Sequence, residues 1–378
     1  MVPSGQFELV RYPLVTGNTL RAWDAADELL LQHVAEHHTL DRTESFRVLV
    51  LNDSHGALCT ALHEWNPCSW SDSFLSFQAV KHNFLANDIQ TEFEFFSSVD
   101  EPDGVFDLVL IRVPKSMAFF QEQLTRLRPH VSGNTKIIAG AMLKHLPKSA
   151  FRIFEQCLGP VTTSLAVKKA RLLFASVDES KPIQKPAAPT EYTDSSLGFA
   201  LANHSNVFSR EKLDLGARLF LSQFHKLPVA RNVFDLGCGN GVLGLSFMRH
   251  QANACVNFVD ESYSAVASAQ YNYEQLFPED GGQSGHAHFF VANGLELHPE
   301  ESADLIICNP PFHQQHAITD QLALPLFEGS KRVLEKGGQL WVVANRHLSY
   351  EGKLKKLFGN CSQIICDRKF CVYKVVKR

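Results

Sequence analysis

The sequence predicts an α/β protein in which one fold occurs twice in tandem, each copy built around a doubly wound, parallel sheet. Short β-rich apolar runs alternate with helix patterns between residues 46 and 139, and a second alternation follows between residues 232 and 376. Between them, residues 177–190 contain three prolines and few bulky apolar groups, which is the composition of a stiff linker. Strands that alternate with helices indicate βαβ units. We therefore predict domains over residues 1–177 and 197–378, joined by a linker over residues 178–196.

The predicted elements of the two halves match in order. In the first half we expect strands at 46–51, 68–72, 106–113 and 135–139, and helices at 20–33, 57–63, 78–85 and 119–127. In the second half we expect strands at 232–236, 255–260, 286–291, 304–308, 339–344, 362–367 and 370–376. Residues 48–53 align with 232–235, 70–72 with 258–260, and 106–111 with 303–308. Self-similarity of this kind indicates a duplicated fold.

The two copies differ where parallel sheets bind ligands, at the carboxyl ends of the strands. The second copy has a glycine-rich loop after its first strand, whereas the first copy has Asp53-Ser54-His55-Gly56 there. Opposite Asn309-Pro310-Pro311-Phe312 the first copy has Arg112-Val113-Pro114-Lys115. The second copy is therefore expected to be active and the first to lack the cofactor loop. Arg112 and Lys115 are cations at its mouth, so we expect them to bind phosphates.

The amino-acid composition argues against several classes of function. The chain has 378 residues, of which 45% are apolar and 20% charged, and its net charge of -4 gives no global attraction to nucleic acid. No long apolar segment predicts a membrane span. The nine cysteines include no Cys-x-x-Cys pair, which argues against a disulfide framework or a metal site, and Cys361, Cys366 and Cys371 are interpreted as small buried thiols. We expect a cytoplasmic monomer.

The glycine-rich loop, residues 233–244, predicts the cofactor. A dinucleotide fingerprint that starts at Gly237 would need glycine at position 242, where the chain has Val242. Asp235 before the loop suits the ammonium of a cationic sulfonium amino acid, directly or through water, and Asp260 at the end of the next strand suits two ribose hydroxyls. The predicted cofactor is S-adenosyl-L-methionine. Its predicted ligands are Asp235, Gly237, Cys238, Gly239, Asn240, Gly241, Asp260, Ala292, Asn293 and Asn309.

The stretch Asn309-Pro310-Pro311-Phe312 predicts the reaction. It follows the apolar run 303–308, and its two prolines make the turn stiff. Asn309 Oδ1 and the Pro310 carbonyl can accept the two N–H bonds of a nucleobase amino group while Phe312 stacks on the ring. The predicted catalytic residues are thus Asn309, Pro310 and Phe312.

Several segments carry a resemblance to a known family. The second half resembles class I methyltransferases, and the duplicated layout with Asn-Pro-Pro-Phe resembles the ribosomal RNA guanine-N2 methyltransferases, in particular those that modify 23S RNA. The similar segments are 22–27, 206–210, 309–317, 344–348 and 354–360. The resemblance implies two tandem Rossmann-like class I methyltransferase-type domains, the first serving RNA recognition, and methyl transfer from S-adenosylmethionine to N2 of a guanosine in 23S RNA. It places Phe208, Ser209 and Arg210 at the closing edge of the active site, and Pro311 and His313 against the substrate.

Other functions stay open at this stage. They are the same reaction on 16S RNA, N6-adenine methylation, methylation of a protein glutamine, and a non-enzymatic role in RNA-bound assembly. The intact glycine loop opposes the last of these. The lysines around residues 353–356, the basic C-terminus, and Lys168, Lys169 and Arg171 fit an RNA track and a solvated face equally well.

Overall fold

The structure is a computed structural model, which describes residues 5–14, 20–37, 45–91, 93–278, 286–310 and 319–378. The chain divides into two compact units, Met1–Ala188 and Pro189–Arg378. No helix among the described residues is both long enough and apolar enough to cross a membrane.

The first unit contains five α-helices and seven strands among its described residues. The helices are α1 (Ala25–His37), α2 (Ala57–Ala61), α3 (Phe74–Ala86), α4 (Met117–Leu127) and α5 (Lys148–Cys157). The strands are β1 (Val48–Leu51), β2 (Cys68–Ser71), β3 (Phe95–Ser97), β4 (Leu108–Arg112), β5 (Lys136–Met142), β6 (Val161–Thr163) and β7 (Ala170–Ala175).

The second unit repeats this set and adds a hairpin in front. The hairpin strands are β8 (Thr190–Thr193) and β9 (Ala200–Asn203). The helices are α6 (Leu215–Leu221), α7 (Val242–His250), α8 (Tyr263–Leu276), α9 (Thr319–Val333) and α10 (Tyr350–Phe358). The remaining strands are β10 (Asn232–Leu236), β11 (Cys255–Asp260), β12 (Ala287–Val291), β13 (Ala303–Cys308), β14 (Leu334–Asn345), β15 (Ser362–Cys366) and β16 (Phe370–Val376).

Both units have a seven-stranded sheet of the same topology. The orders are β3-β2-β1-β4-β5-β7-β6 and β12-β11-β10-β13-β14-β16-β15. The first five strands of each sheet are parallel, and the sixth in the order, β7 or β16, runs antiparallel to both of its neighbours. The predicted duplication is confirmed. The expected parallel sheet is found in five strands of each unit, and a short connection adds an antiparallel hairpin at one edge, which needs no crossover helix.

The central strands are buried on both faces, as their continuous apolar runs predict. All four residues of β1 and five of the six residues of β13 are buried. Helices cover both faces of each sheet, and a polar residue just before the first turn caps several of them. Ser73, Ser116, Asp214 and Ser262 each accept a backbone N–H at the start of a helix.

Strand register fixes which residues of the two units are equivalent. Asn52 N–H donates to the Trp70 carbonyl at 3.1 Å, and Gly237 N–H donates to the Val259 carbonyl at 2.8 Å. Asn52 therefore occupies the position of Gly237. The same register aligns Ser71 with Asp260, one residue away from the alignment expected from the sequence. The first unit thus lacks the predicted ribose-binding carboxylate.

Three local predictions needed correction. Helix α1 begins at Ala25 rather than residue 20, because Asp24 accepts the Ala26 N–H at 2.8 Å and caps the helix there. The predicted linker is shorter, since Thr190–Thr193 forms a strand and the Asp178 N–H donates to the Leu158 carbonyl. Cys366 and Cys371 lie opposite each other on β15 and β16 and form a disulfide, so they are not thiols.

Candidate active site

The glycine loop between β10 and α7 forms an open backbone cradle. Gly237, Gly239 and Gly241 have φ of 72°, 54° and 83°, values that side chains disfavour. A Cβ at Gly239 would meet nothing within 4 Å, whereas one at Gly237 would lie 3.5 Å from the Asn309 carbonyl oxygen. The loop therefore leaves space above Gly239 and brings the backbone of Asn309 close to Gly237.

Asp235 lies beneath this loop rather than in front of it. Asp235 is only 1% exposed. Its Oδ2 accepts the N–H of Gly244, a residue of α7, at 2.8 Å. Burial, and then the charge of Asp260, raises the pKa of Asp235 to about 8. The expected contact between Asp235 and a cofactor ammonium, directly or through water, stays a prediction, and the other oxygen, Oδ1, is buried without a partner among the described residues. The carboxyl group ties the strand to the helix that follows the loop.

Asp260, at the end of β11, faces the cradle. Its Oδ2 accepts the Gly239 N–H and its Oδ1 accepts the Ser262 N–H, each at 3.0 Å. A carboxylate at the end of this strand is the predicted ligand of the ribose hydroxyls, and this role stays a prediction. The Ala292 N–H donates to the Asp260 carbonyl at 3.0 Å, and Asn293 follows, half-buried, with its amide on Glu296. The predicted roles of Asp260, Ala292 and Asn293 as cofactor ligands stay predictions.

The side chains of Cys238 and Asn240 turn away from the cradle. Cys238 is 4% exposed and packs in the core. The Asn240 amide donates to Asn203 Oδ1 at 2.8 Å, and Asn272 Nδ2 donates to the Asn240 carbonyl at 3.0 Å. Only the backbone of the two loop residues can face a cofactor. Sequence reasoning did not identify Asn203 or Asn272, whose polar side chains on a strand and a helix carried no distinct pattern.

Asn309 leaves one acceptor unused. Its Nδ2 donates to Asp214 Oδ2 at 3.4 Å, while its Oδ1 is buried and has no hydrogen-bond partner in the part of the chain that the structure describes. Asp214 Oδ2 also accepts the Ala217 N–H at 2.9 Å as the cap of α6. Sequence analysis missed Asp214, although an aspartate just before an apolar helix is a capping signal.

The flanking residues of the predicted site are only partly described. Pro310 is buried, while Pro311, Phe312 and His313 lie outside the described residues. In the segment before α6, Phe208 is 53% exposed and Ser209 has a φ of 56°. Arg210 pairs with Glu211 at 3.0 Å. The roles of Phe208, Ser209 and Arg210 stay predictions.

Comparison with known proteins identifies the family. Residues 1–179 match the RLMG N-terminal domain and residues 198–374 match the Methyltransferase small domain. A protein of Streptomyces griseus named Ribosomal RNA large subunit methyltransferase G is 43% identical, with 99% of this chain and 98% of that protein covered. The chain belongs to the ribosomal RNA large subunit methyltransferase G family. Members of Stutzerimonas stutzeri and Yersinia enterocolitica are 43% and 42% identical, with 98% and 92% of their lengths covered. The predicted family is confirmed.

A solved structure shares the fold of this family member. The 16S rRNA N2 methyltransferase of T. thermophilus, determined with AdoMet and guanosine, superimposes with a TM-score of 0.79 over 98% of this chain and 95% of that chain. Its sequence identity is 22%, so this likeness bears on the fold alone. It confirms the predicted two-domain methyltransferase fold.

In the first unit, corresponding to the family's N-terminal domain, Arg112 takes the position of Asn309. Strand register aligns the two residues, and Asp24 caps α1 as Asp214 caps α6. The Arg112 guanidinium pairs with Asp24 at 2.9 Å and with the buried Asp27. Its expected contact with phosphate is therefore wrong, because both sides of the guanidinium already meet carboxylates. Lys115 is exposed.

The donor set of the second unit fits a sulfonium nucleoside. The cradle over Gly239 is open, the Asp260 carboxylate lies beside it, and Asn309 presents a buried oxygen without a partner among the described residues. Within the described ranges, no group of three His, Cys, Asp or Glu side chains is arranged to hold a metal ion.

Proposed function

We propose that this chain transfers the methyl group of S-adenosyl-L-methionine to the exocyclic N2 amino group of a guanosine in 23S ribosomal RNA. The observation that carries the proposal is Asn309 Oδ1, a buried acceptor without a partner beside an open glycine cradle. A buried polar atom normally has a partner, so this oxygen is suited to a donor on a ligand. The names of the relatives support the ribosomal large subunit as the target.

The second unit would hold the cofactor mainly through backbone. Gly237, Gly239 and Gly241 form the floor, Asp260 accepts the ribose hydroxyls, and Ala292 and Asn293 line the adenine. When bound, the sulfonium supplies an electrophilic methyl group and a neutral thioether leaving group. Asp235 keeps the loop in shape from below.

Asn309 and Pro310 would activate the amine by orientation. The lone pair of a guanine amino group is delocalised into the ring, which makes the nitrogen a weak nucleophile. Acceptance of its N–H bonds by Asn309 Oδ1 and the Pro310 carbonyl favours a pyramidal nitrogen whose lone pair faces the methyl group. Positioning of this kind is worth effective molarities of about 10⁵ M in model reactions. No general base is required before methyl transfer, because the proton leaves a nitrogen that has become cationic.

The substrate base must leave its stack to reach this pocket. Flipping costs roughly a few kcal/mol, least where the base is already single-stranded. Stacking of the flipped base on an aromatic side chain contributes ~1–3 kcal/mol of binding free energy per base. Phe312 is the predicted stacking partner, and the side chain of Phe208 in the same unit is 53% exposed.

The test is methyl transfer from labelled S-adenosylmethionine to protein-free 23S RNA, 16S RNA and intact ribosomal subunits, followed by nucleoside analysis. N2-methylguanosine in 23S RNA, lost in Asn309→Ala, is the expected result. Circular dichroism and thermal melting of Asn309→Ala that match those of the original chain separate loss of chemistry from loss of fold. Label in 16S RNA, in adenosine or in protein would refute the proposed substrate.

A further inference from the structure

Residues 203–214 join two parts of the candidate site, and we call this segment the site strap. At its first residue, Asn203 Oδ1 accepts a hydrogen bond from Asn240 Nδ2 at 2.8 Å. At its last residue, Asp214 Oδ2 accepts one from Asn309 Nδ2 at 3.4 Å. The site strap is therefore attached to the cofactor loop at one end and to the predicted catalytic asparagine at the other.

The middle of the site strap is its more exposed part. Residues 208–212 are exposed or half-buried, and they include residues 208–210, which are expected at the closing edge of the active site. Val207 before them and Leu213 after them are buried. Because close-packed interiors transmit displacements, these buried flanks restrict where the exposed middle can lie.

The hydrogen bond between Asn203 and Asn240, which we call the amide link, lies inside the protein. Both residues are buried. Asn240 Nδ2 also donates to the Tyr192 hydroxyl at 3.3 Å, and Asn240 Oδ1 accepts the Val242 N–H at 3.2 Å. Asn240 follows Gly239, over which the cradle is open. A cofactor on the cradle would thus lie one residue away from the amide that holds the site strap.

A separate set of bonds, which we call the loop brace, fixes the backbone around the amide link. Asn272 on α8 accepts the Ala202 N–H at 2.8 Å and donates to the Ala202 carbonyl at 2.9 Å. It also donates to the Asn240 carbonyl at 3.0 Å. The loop brace holds β9 and the cofactor loop against α8 and leaves the side chains of Asn203 and Asn240 to form the amide link.

The first unit has the loop brace in the same form. Asn83 on α3 accepts the Val10 N–H at 2.9 Å and donates to the Val10 and His55 carbonyls at 3.1 and 2.8 Å. His55 therefore stands in the place of Asn240. Its Nδ1 is buried without a hydrogen-bond partner in the part of the chain that the structure describes. The loop brace thus occurs in both units, whereas the amide link accompanies the open glycine cradle, which argues that the brace serves the fold and the link serves the site.

We infer that the amide link couples cofactor binding to substrate binding, with Asn203 and Asn240 as positioning residues. The inference rests on the proposed function, because it concerns the regulation of the same site. A cofactor on the cradle fixes the backbone next to Asn240, and the site strap then holds its closing edge and Asp214 in place for the RNA base. Coupling is reciprocal, so RNA raises the affinity for the cofactor by the same factor.

The test compares RNA affinity with and without a bound cofactor product. S-adenosylhomocysteine, the thioether that remains after methyl transfer, occupies the cradle without reacting. In the full-length chain, its saturation should raise the affinity for protein-free 23S RNA about tenfold, within the usual range of such couplings. In Asn203→Ala the factor should fall below about twofold. In methylation assays at saturating cofactor, the KM of this variant for RNA should rise about tenfold while kcat changes less than about threefold.

Further variants separate the amide link from the fold. Asn203→Asp keeps an acceptor for Asn240 Nδ2 and should retain the coupling. Tyr192→Phe removes the other acceptor of Asn240 Nδ2 and should lower the coupling, which keeps the inference testable if Asn203→Ala folds poorly. Asn360→Ala is the control, because it removes a half-buried amide that bonds β16 at 2.8 and 2.9 Å, and the coupling should stay unchanged.

A second measurement does not depend on the RNA. Binding of S-adenosylhomocysteine should slow hydrogen exchange of the backbone amides in residues 204–213 of the original chain. In Asn203→Ala the cofactor product should still bind, but this slowing should be lost. A residue with a role in stability alone would change exchange with and without the cofactor product equally.

Equal coupling in the original chain and in folded Asn203→Ala would overturn the inference, and so would an equal loss of coupling in Asn203→Asp. If the original chain forms N2-methylguanosine in 23S RNA without any coupling, the proposed function stands and the amide link does not serve it. If 23S RNA is not methylated but the cofactor product slows exchange in the site strap through Asn203, the proposed substrate fails and the role of the amide link stands.

Discussion

Asp214→Ser tests whether Asp214 fixes the orientation of Asn309. Serine caps helices about as well as aspartate, so α6 should keep its first turn. The shorter hydroxyl cannot span the 3.4 Å contact to Asn309 Nδ2, and the Asn309 amide then becomes free to rotate. A hydrogen bond to a charged group is worth ~1.5–3 kcal/mol, and the length of this one places it near the lower end.

A loss of about 1.4 kcal/mol in the transition state corresponds to a tenfold lower kcat. We expect that decrease with little change in cofactor affinity or thermal stability. Asp214→Asn retains an acceptor of the right length and should restore kcat to within about threefold of the original value. Single-turnover methyl transfer at saturating cofactor measures the effect. Ser73→Ala, which removes the cap of α3, controls for the general loss of a cap. If Asp214→Ser kept full activity, or if both Asp214 variants lost activity equally, Asp214 would not act through its contact with Asn309.

Three other predictions follow from the site. Asp260→Asn should weaken S-adenosylmethionine binding by roughly tenfold, since a charged acceptor is lost, and calorimetry that shows no change would exclude Asp260 as the ribose ligand. Burial raises the pKa of Asp235 to about 8, so its contribution to the free energy of unfolding is full below pH ~4 and is lost as the pH rises through 8. Between pH 6 and 9, Asp235→Asn should therefore lose less stability than the original chain in denaturant titrations. Equal losses would contradict this prediction. Arg112→Met leaves the buried Asp27 without its cation and should destabilise the first unit by ~3–5 kcal/mol; a change below ~1 kcal/mol would show that the pair is dispensable.

Strand positions could be predicted from the sequence because a strand that is buried on both faces is a short, continuous run of apolar residues. The runs 232–236, 255–260 and 370–376 were predicted with the bounds that the structure has. A short apolar run without alternation fits a strand that other elements cover on both faces. The edge strands β6 and β7 of the first unit and the β8–β9 hairpin were missed, although the equivalent β15 and β16 were predicted; β6, β8 and β9 are only three or four residues long, which is too short for a clear pattern.

Side-chain direction at the loops could not be predicted in the same way. Asp235, Cys238 and Asn240 belong to the glycine loop in sequence, yet their side chains point into the protein. Asp214 is far from Asn309 in the chain and meets it only through folding. A motif specifies which backbone lies at a site. The orientation of each side chain depends on tertiary partners that the motif does not contain.

The first unit explains how a duplicated site can be lost while its fold is kept. Asn52 stands in the place of Gly237 with a φ of 62°, so the turn persists, but its amide donates to the Arg112 carbonyl at 3.0 Å and to Gln123 at 2.9 Å. Asp53 is buried and accepts the Cys59 N–H at 2.9 Å inside α2, as Asp235 does for α7. The side chains of this unit thus occupy the space that glycines leave open in the second. A loop filled in this way needs no ligand for its stability.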